Sequence, residues 1–354
     1  MGIFFLVSAL ISCYWTFFRG DYLSSPLSLK GYNMFSRLMI AVATTVLTIV
    51  TSCIFPAVSL SKSEIAQVPG VYPFKLGDFT ITVLSDGTLP QDLHTLLSNT
   101  NPTETDRLLQ KNFLTNPVEA SINAFLIDTG DQQVLVDTGA GTFFGPKLGG
   151  KLQTSLKAAG YTPNEIDAIL LTHIHTDHSG GLVKAGQRVF PAATLYVGKP
   201  DVDFWFDRAN ATRFNVAEKY FDEAAKTVKP YLDAGKVKSF SGKTALLPGI
   251  TAHPTPGHTP GHSCYVAASK GESIEFWGDI VHFASVQFPK PEITVAYDVD
   301  ANAAAAQRKK QFARAEASRI LVAGAHLPFP GVGHLRAADQ GYAWVPVDYR
   351  WREP

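Results

Sequence analysis

The sequence predicts a mixed α/β (α+β) fold whose functional residues gather at one end of its sheets, and three observations lead there. In the stretch Ala168–Gly181, reading A-I-L-L-T-H-I-H-T-D-H-S-G-G, the apolar run Ile169–Leu171 is what a strand buried on both faces requires. It breaks off into His173, His175, Asp177 and His178. Three further short apolar runs also end in, or just before, a candidate ligand, which puts these residues where the loops of one sheet edge meet. Among the strands stand two helical stretches, the amphipathic Lys151–Ala159, stopped by Gly160, and the alanine-rich Ala301–Arg319.

A chain of 354 residues that is 45% apolar can bury a large core. Lysine plus arginine equals aspartate plus glutamate, 31 each, so charge gives no case for nucleic acid or an anionic membrane as partner. Small substrates that are neutral or weakly charged, and apolar, suit this balance. Cys13, Cys53 and Cys264 have no paired spacing, so no disulfide framework is expected. The sequence leaves oligomeric state open, with a homodimer allowed.

Residues 1–65 stand apart from the fold. Met1–Phe18 is apolar, and a second apolar block, Met34–Ser61, carries Arg37 near its start. Leu38–Val50 has the make-up of a signal h-region, Ala57-Val58-Ser59 offers small residues for cleavage, and Val50–Cys53 loosely matches a lipoprotein processing box. Left uncleaved, the run is long enough to anchor the chain in a membrane. The expectation is a signal or anchor segment over 1–65, with Met34 as the genuine start and residues 1–33 upstream of it. The protein would then be exported, periplasmic or secreted, with membrane anchorage or lipidation as the alternative, and one domain over 66–354 would follow. Export would leave Cys264 as the one cysteine of the mature chain.

Along that domain, Phe79–Leu84 alternates like a half-buried strand and Ser85-Asp86-Gly87 turns it. Leu89–Pro117 reads as a long loop with short helices. Ile122–Ile127 and Val134–Val136 form a hairpin, and the second strand runs into Asp137. Asp137 is either a ligand or a buried carboxylate bonding backbone amides at a strand end, and the second role suits its position better. Leu195–Val197 is a strand. Asp201–Val228 is largely helical and carries the consecutive Phe204, Trp205 and Phe206, which cannot all face the core. Val237–Phe240 and Ile250–Ala252 are strands leading to the segment Pro254–His262. Cys264–Ala267 and Ile274–Trp277 pair as a hairpin ending at Asp279, and Ile320–Val322 is the last strand, before His326.

The histidine cluster reads as a metal site. Residues two apart in extended chain share a face, so His173 and His175 can close on one ion, and a turn after them swings Asp177 and His178 toward a second. Imidazole with carboxylate and no thiolate suits zinc or a similar divalent ion with open positions. The competing reading is a surface turn rich in histidine. Three of the chain's ten histidines within six residues, straight after a buried strand, weigh against it.

H-x-H-x-D-H, then G-H at His258, G-D at Asp279 and a late strand-end His326 resemble the metallo-β-lactamase superfamily across about residues 70–350. That resemblance implies a four-layer αβ/βα sandwich of two mixed sheets with outer helices. It also implies His173, His175 and His258 on one metal, Asp177, His178 and His326 on a second, and Asp279 bridging both. The early half, Phe79–Val197, would give one sheet and the later half, Val237–Val322, the other.

Further stretches narrow the likeness to methyl parathion hydrolase-like secreted metallohydrolases: Leu84–Thr88, Val136–Ala140, Phe144–Pro146, Lys157–Tyr161 and Ala325–Gly331. By that likeness Phe144, Trp205 and Tyr220 would line an aromatic pocket. His282 stands where those relatives carry leucine, and Tyr220 replaces another aromatic; both make the pocket more polar.

Two ions offset by Asp177, Asp279 and one bridging hydroxide leave a site near roughly +1, which brings bound water toward neutral pKa and stabilises an oxyanion. The expected activity is a two-metal hydrolase whose bridging hydroxide, held by Asp177 and Asp279, attacks lactones, aryl esters or phosphotriesters. Zinc is the favoured metal, with manganese, cobalt or iron admitted. A mononuclear iron dioxygenase of persulfides and a glyoxalase II-like thioesterase are the alternatives, and the first of these needs only half of this ligand set. Ser179 and Cys264 lack a base partner and are read as structural. His262, four residues after His258, is read as a histidine that orients a ligand or packs the core. His282 is read as lining the pocket, as supporting a ligand, or as solvent-exposed.

Overall fold

The computed structural model describes residues 67–349. The signal or anchor expected over 1–65 lies outside them. Among the described residues no helix is long and apolar enough to cross a membrane.

Two seven-stranded sheets dominate, each with its strands in chain order. The first runs β1 (Val71–Leu76), β2 (Phe79–Gln91), β3 (Val118–Asp128), β4 (Gln133–Val136), β5 (Ala168–Leu170), β6 (Thr194–Gly198) and β7 (Val237–Phe240). The second runs β8 (Thr244–Leu247), β9 (Ile250–Pro254), β10 (Ser263–Ser269), β11 (Glu272–Phe276), β12 (Leu321–Ala323), β13 (Val332–Ala337) and β14 (Tyr342–Pro346). β1 to β4 are joined antiparallel and β4 to β7 parallel. In the second sheet β11 and β12 alone pair in parallel. Each parallel step needs a crossover, and helix Ala301–Ser318 supplies it between β11 and β12.

The period-two pattern of the strands sorts side chains between layers. Val134, Val136 and Leu170 point into the core between the sheets, where they meet Tyr265, Ile274 and Phe276. Leu135, Ile169, Leu195 and Val197 point the other way, under the helical segments carrying Leu156, Trp205, Phe221 and Tyr231. On the far side of the second sheet, Cys264, Val322 and Leu335 pack against Phe312 and Ala315 of helix Ala301–Ser318. The result is the expected αβ/βα sandwich.

Three expectations are corrected, and one strand has no counterpart among them. Val237–Phe240 belongs to the first sheet, parallel to β6, so the sheets divide at residue 240 and not before 237. Ser85–Gly87 does not end its strand: β2 continues to Gln91 past a bulge there, where Gly87 takes φ +119°. β12 is not the last strand, because β13 and β14 complete the sheet. β1, outside every pattern noted above, pairs with β2.

Candidate metal centre

Three buried aspartates fix the loops that carry the site. Asp137 ends β4 at φ +59°, and its carboxylate accepts from the amide and hydroxyl of Thr172, both 2.8 Å, and meets His178 Nδ1 at 2.8 Å. It therefore has the backbone-bonding role expected of it, and it orients a histidine as well. Asp201 accepts from the amides of Ile174 and Gly261, so one carboxylate ties the H-x-H loop to the loop of His258. Asp86 accepts from Ala140, Gly150 and Leu152. Burial pushes both Asp86 and Asp201 up to about 6, against the pull of those amides.

The second sheet delivers the rest. The Asn123 amide group donates to the carbonyls of Gly324 and Leu327, and Ser121 O lies 2.8 Å from His326 Nδ1. β3 of the first sheet thus holds the loop after β12. His262 accepts from the Asp279 amide at 3.0 Å through Nε2 and faces Thr255 Oγ1 at 2.8 Å through Nδ1, so it orients the Asp279 segment as expected of it.

The seven candidates converge. His175 Nδ1 lies 3.1 Å from His173 Nε2 and 2.9 Å from His258 Nε2. Asp279 turns one oxygen to each set. Its Oδ2 is 3.2 Å from His258 and 3.6 Å from His173, while its Oδ1 is 3.0 Å from His178 and 3.1 Å from His326. Asp177 Oδ2 lies 3.4 Å from His326 and 3.7 Å from His178. His173, His175, His258 and Asp279 form one group able to hold an ion, and Asp177, His178 and His326 a second.

The donors fit metal ions on grounds beyond proximity. His178 Nε2 and Asp279 Oδ1 are buried and have no hydrogen-bond partner. A buried polar atom of that kind is costly unless a cation or water satisfies it. The imidazoles are also driven apart in basicity. Burial pushes His173 and His175 well down, and neighbouring histidines add to this. For His178 and His326 burial acts the same way but nearby carboxylates prevail and raise them. His258, also buried, is carried up to about 9 by Asp279 and Asp298. The set is one carboxylate inside a ring of competing imidazoles, the arrangement two divalent cations would settle.

Above the cluster opens a cavity of about 450 Å³. Phe144, Trp205 and Tyr220, which the family likeness put at a pocket, line it together with His282. His282 is buried, with Nε2 3.0 Å from Asp279 Oδ2, so the solvent-exposed reading of it is overturned. Ser179 and Cys264 are both buried, Ser179 against Thr227 and Cys264 in the core, and neither lines the cavity.

The sequence reading missed other lining residues. Gln91 and Tyr297, joined by a 3.1 Å hydrogen bond, share one wall, and Glu223, bonded to Thr176, lies on another. It also missed Asp201 and Asp298, which hold the ligand loops. Each sits in a loop or at a helix start with no recurring spacing, so only the fold brings them in.

A family model described as the Metallo-beta-lactamase superfamily matches residues 118–326. A solved hydrolase of the beta lactamase superfamily, AbOPH, is 38% identical over 80% of this chain and all of its own, with a TM-score of 0.76. AidC, a dizinc quorum-quenching lactonase solved with the product N-hexanoyl-L-homoserine, is 28% identical over the same shares, with a TM-score of 0.73. The N-acyl homoserine lactonase AiiA of Bacillus thuringiensis subsp. kurstaki is 26% identical over 42% of this chain, a match that spans 60% of that relative's length.

Proposed function

The chain belongs to the metallo-beta-lactamase superfamily and is a metal-dependent hydrolase, and from that premise we propose that it opens lactones and aryl esters, with phosphotriesters turned over more slowly. We assign His173, His175 and His258 to one ion, Asp177, His178 and His326 to the other, and Asp279, which turns one oxygen toward each group, to both. Asp279, His282 and His326 also lie close enough to form a group of their own. Zinc is our choice of metal, from the donor types and the dizinc relative. A mononuclear iron dioxygenase leaves the second group without a purpose.

Two divalent ions held there would supply a nucleophile at neutral pH and polarise the scissile oxygen. Asp279, with one oxygen toward each group, would hold both ions. Asp177, partly exposed at the cavity floor, faces the second group beside the incoming substrate. Phe144, Trp205 and Tyr220 give a flat, largely apolar face for the group next to the cleaved bond.

The observation that carries the substrate preference is His282. Its Nδ1 is buried without a hydrogen-bond partner, its Nε2 faces Asp279 Oδ2 at 3.0 Å, and the ring lines the cavity. Burial holds it below the usual histidine range, and a neutral imidazole carries one N–H and one acceptor nitrogen. A carbonyl substrate can use that group. A bulky phosphotriester would lose room beside it or pay to desolvate it.

The test is a panel of 4-nitrophenyl esters, dihydrocoumarin, acyl-homoserine lactones and methyl paraoxon. Esters or lactones should lead, and His282→Leu should move the ratio toward the phosphotriester by about tenfold. Preference for methyl paraoxon in the wild type, unchanged by His282→Leu, would refute this reading of the pocket. We also read residues 1–65 as an export signal; a mature protein whose N-terminus precedes Met34 would count against that start.

A further inference from the structure

His258 is backed by a buried charge pair that the hydrolytic chemistry does not use. The Asp298 side chain is wholly buried, and its Oδ1 lies 2.8 Å from His258 Nδ1. Its Oδ2 accepts from the Val295 amide at 3.0 Å. The two backbones are also joined: Val299 donates to His258 O at 2.9 Å and Asp300 to Gly257 O at 3.0 Å. Gly257, at φ +143°, sits so close to the start of helix Ala301–Ser318 that a Cβ would meet Ala304 N at 2.4 Å. Loop and helix start therefore share one fixed geometry.

Arg308 completes the pair from within that helix. It is 1% exposed, and its guanidinium donates to three carbonyls, Ile280 at 2.7 Å, Ile293 at 2.7 Å and Pro291 at 3.1 Å. Its remaining nitrogen is 4.0 Å from Asp298 Oδ2. A buried guanidinium is retained where its donors are satisfied and an anion faces it; here that anion is Asp298. The Ile293 carbonyl also accepts from Gln287, whose side-chain oxygen takes the amides of His282 and Phe283. The network thus joins the residue after Asp279, the His282 turn and the carboxylate behind His258.

We propose that Asp298, held by Arg308, is a positioning residue for His258: it accepts the Nδ1–H hydrogen bond and fixes the ring, so that the Nε2 lone pair is left free on the side of Asp279. Histidines that bind metals commonly give their other nitrogen to such a carboxylate, and losing it typically weakens the metal about 10- to 100-fold. The inference rests on His258 being a ligand. Asp298 acts through that ring, because its side chain is wholly buried behind it.

The experiment strips metal from the purified full chain and titrates zinc(II), and separately cobalt(II), against a chelator. It compares wild type, His258→Ala, Asp298→Ala, Asp298→Asn and Arg308→Lys by metal content and by the visible cobalt bands. Asp298→Ala should hold one ion about 10- to 100-fold more weakly, leave the other unchanged and shift the cobalt spectrum as His258→Ala does. Asp298→Asn should recover part of the loss, because its carbonyl oxygen still accepts from Nδ1; if the alanine variant fails to fold, this near-isosteric one decides. Arg308→Lys should show the same one-site loss at smaller size.

Two results would overturn the inference. One is wild-type affinity for both ions with unchanged bands in the Asp298 variants. The other is equal weakening of both ions with a lowered Tm, which is a structural role alone. Should His258→Ala bind both ions like wild type, the ligand assignment itself fails, a result visible without any Asp298 variant.

Discussion

At the floor of the cavity, five of the seven proposed ligands are no more than 6% exposed, and His178, His258 and His326 each have a second ring nitrogen held by a neighbouring oxygen. Along the wall, Phe144 and Tyr220 are half-buried, and Tyr297 is 38% exposed with one hydrogen bond, to Gln91, 206 residues away in the chain. Floor atoms must converge from two sheets to about 3 Å, so every loop bearing one is pinned by a buried carboxylate or amide. The wall has only to be flat and apolar, and loops of many sequences meet that condition. A change at the floor should therefore alter metal content and rate together, while a change at the wall should alter only which substrate is preferred.

The sharpest break of that contrast is Asp279→Ala. With its two oxygens facing separate groups, its loss should drop metal content from two ions toward none and lower kcat/KM by about a thousandfold or more, with the fold kept. His258→Ala and His326→Ala should separate the two sets, each emptying mainly one. Elemental analysis beside circular dichroism checks all three. An active protein with one ion, indifferent to His326→Ala, would leave the floor mononuclear.

This division also explains how much was legible in the sequence. The floor was readable because chemistry restricts residue type and chain geometry restricts spacing: H-x-H-x-D-H must follow a buried strand, and His258, Asp279 and His326 must stand at strand ends. All seven converge as expected. The wall was only partly readable. Phe144, Trp205, Tyr220 and His282 came from a family likeness, while Gln91, Tyr297 and Glu223 came from nothing visible in one dimension. The bulge in β2 was misread because Ser85-Asp86-Gly87 has turn composition; Asp86 instead bonds the glycine-rich loop and the strand runs on. β7 was misassigned because an isolated apolar run does not say which sheet it joins.

Acidity should separate floor from wall next. Without metal, His258 has a folded pKa raised above the ordinary 6.5 to about 9, although burial opposes it. That raised value contributes stability fully present below 6.5 and lost as pH rises through about 9. His262, lowered to about 3 by burial and then by His258, contributes stability that is lost as pH falls from 6.5 through 3. These two histidines alone would thus make the metal-free protein lose stability on either side of 6.5. An ion must displace the His258 proton, so its affinity should rise by up to about tenfold per pH unit between 6.5 and 9. Thermal melts with and without zinc, and chelator competition at three pH values, check both. A metal-free protein that gains stability steadily from pH 6.5 to 9 would contradict the proton accounting at the floor.

The smallest expected effect lies on the wall. Tyr297 reaches across the cavity mouth to Gln91, which joins the end of β2 to the loop before helix Ala301–Ser318. Its neighbour Asp298 is buried behind His258, so the chain passes from floor to wall within one residue, and the two rules can be tested side by side. Tyr297→Phe keeps the ring and removes a single exposed hydrogen bond, worth about 0.5–1.5 kcal/mol at most. If the wall only shapes substrate choice, KM for the longer substrates should rise about two- to fivefold, with kcat and metal content unchanged. A loss of metal or a fall in kcat comparable to that of Asp298→Ala would mean that the wall is mechanically part of the floor. The contrast between the two regions would then fail at the place where they touch.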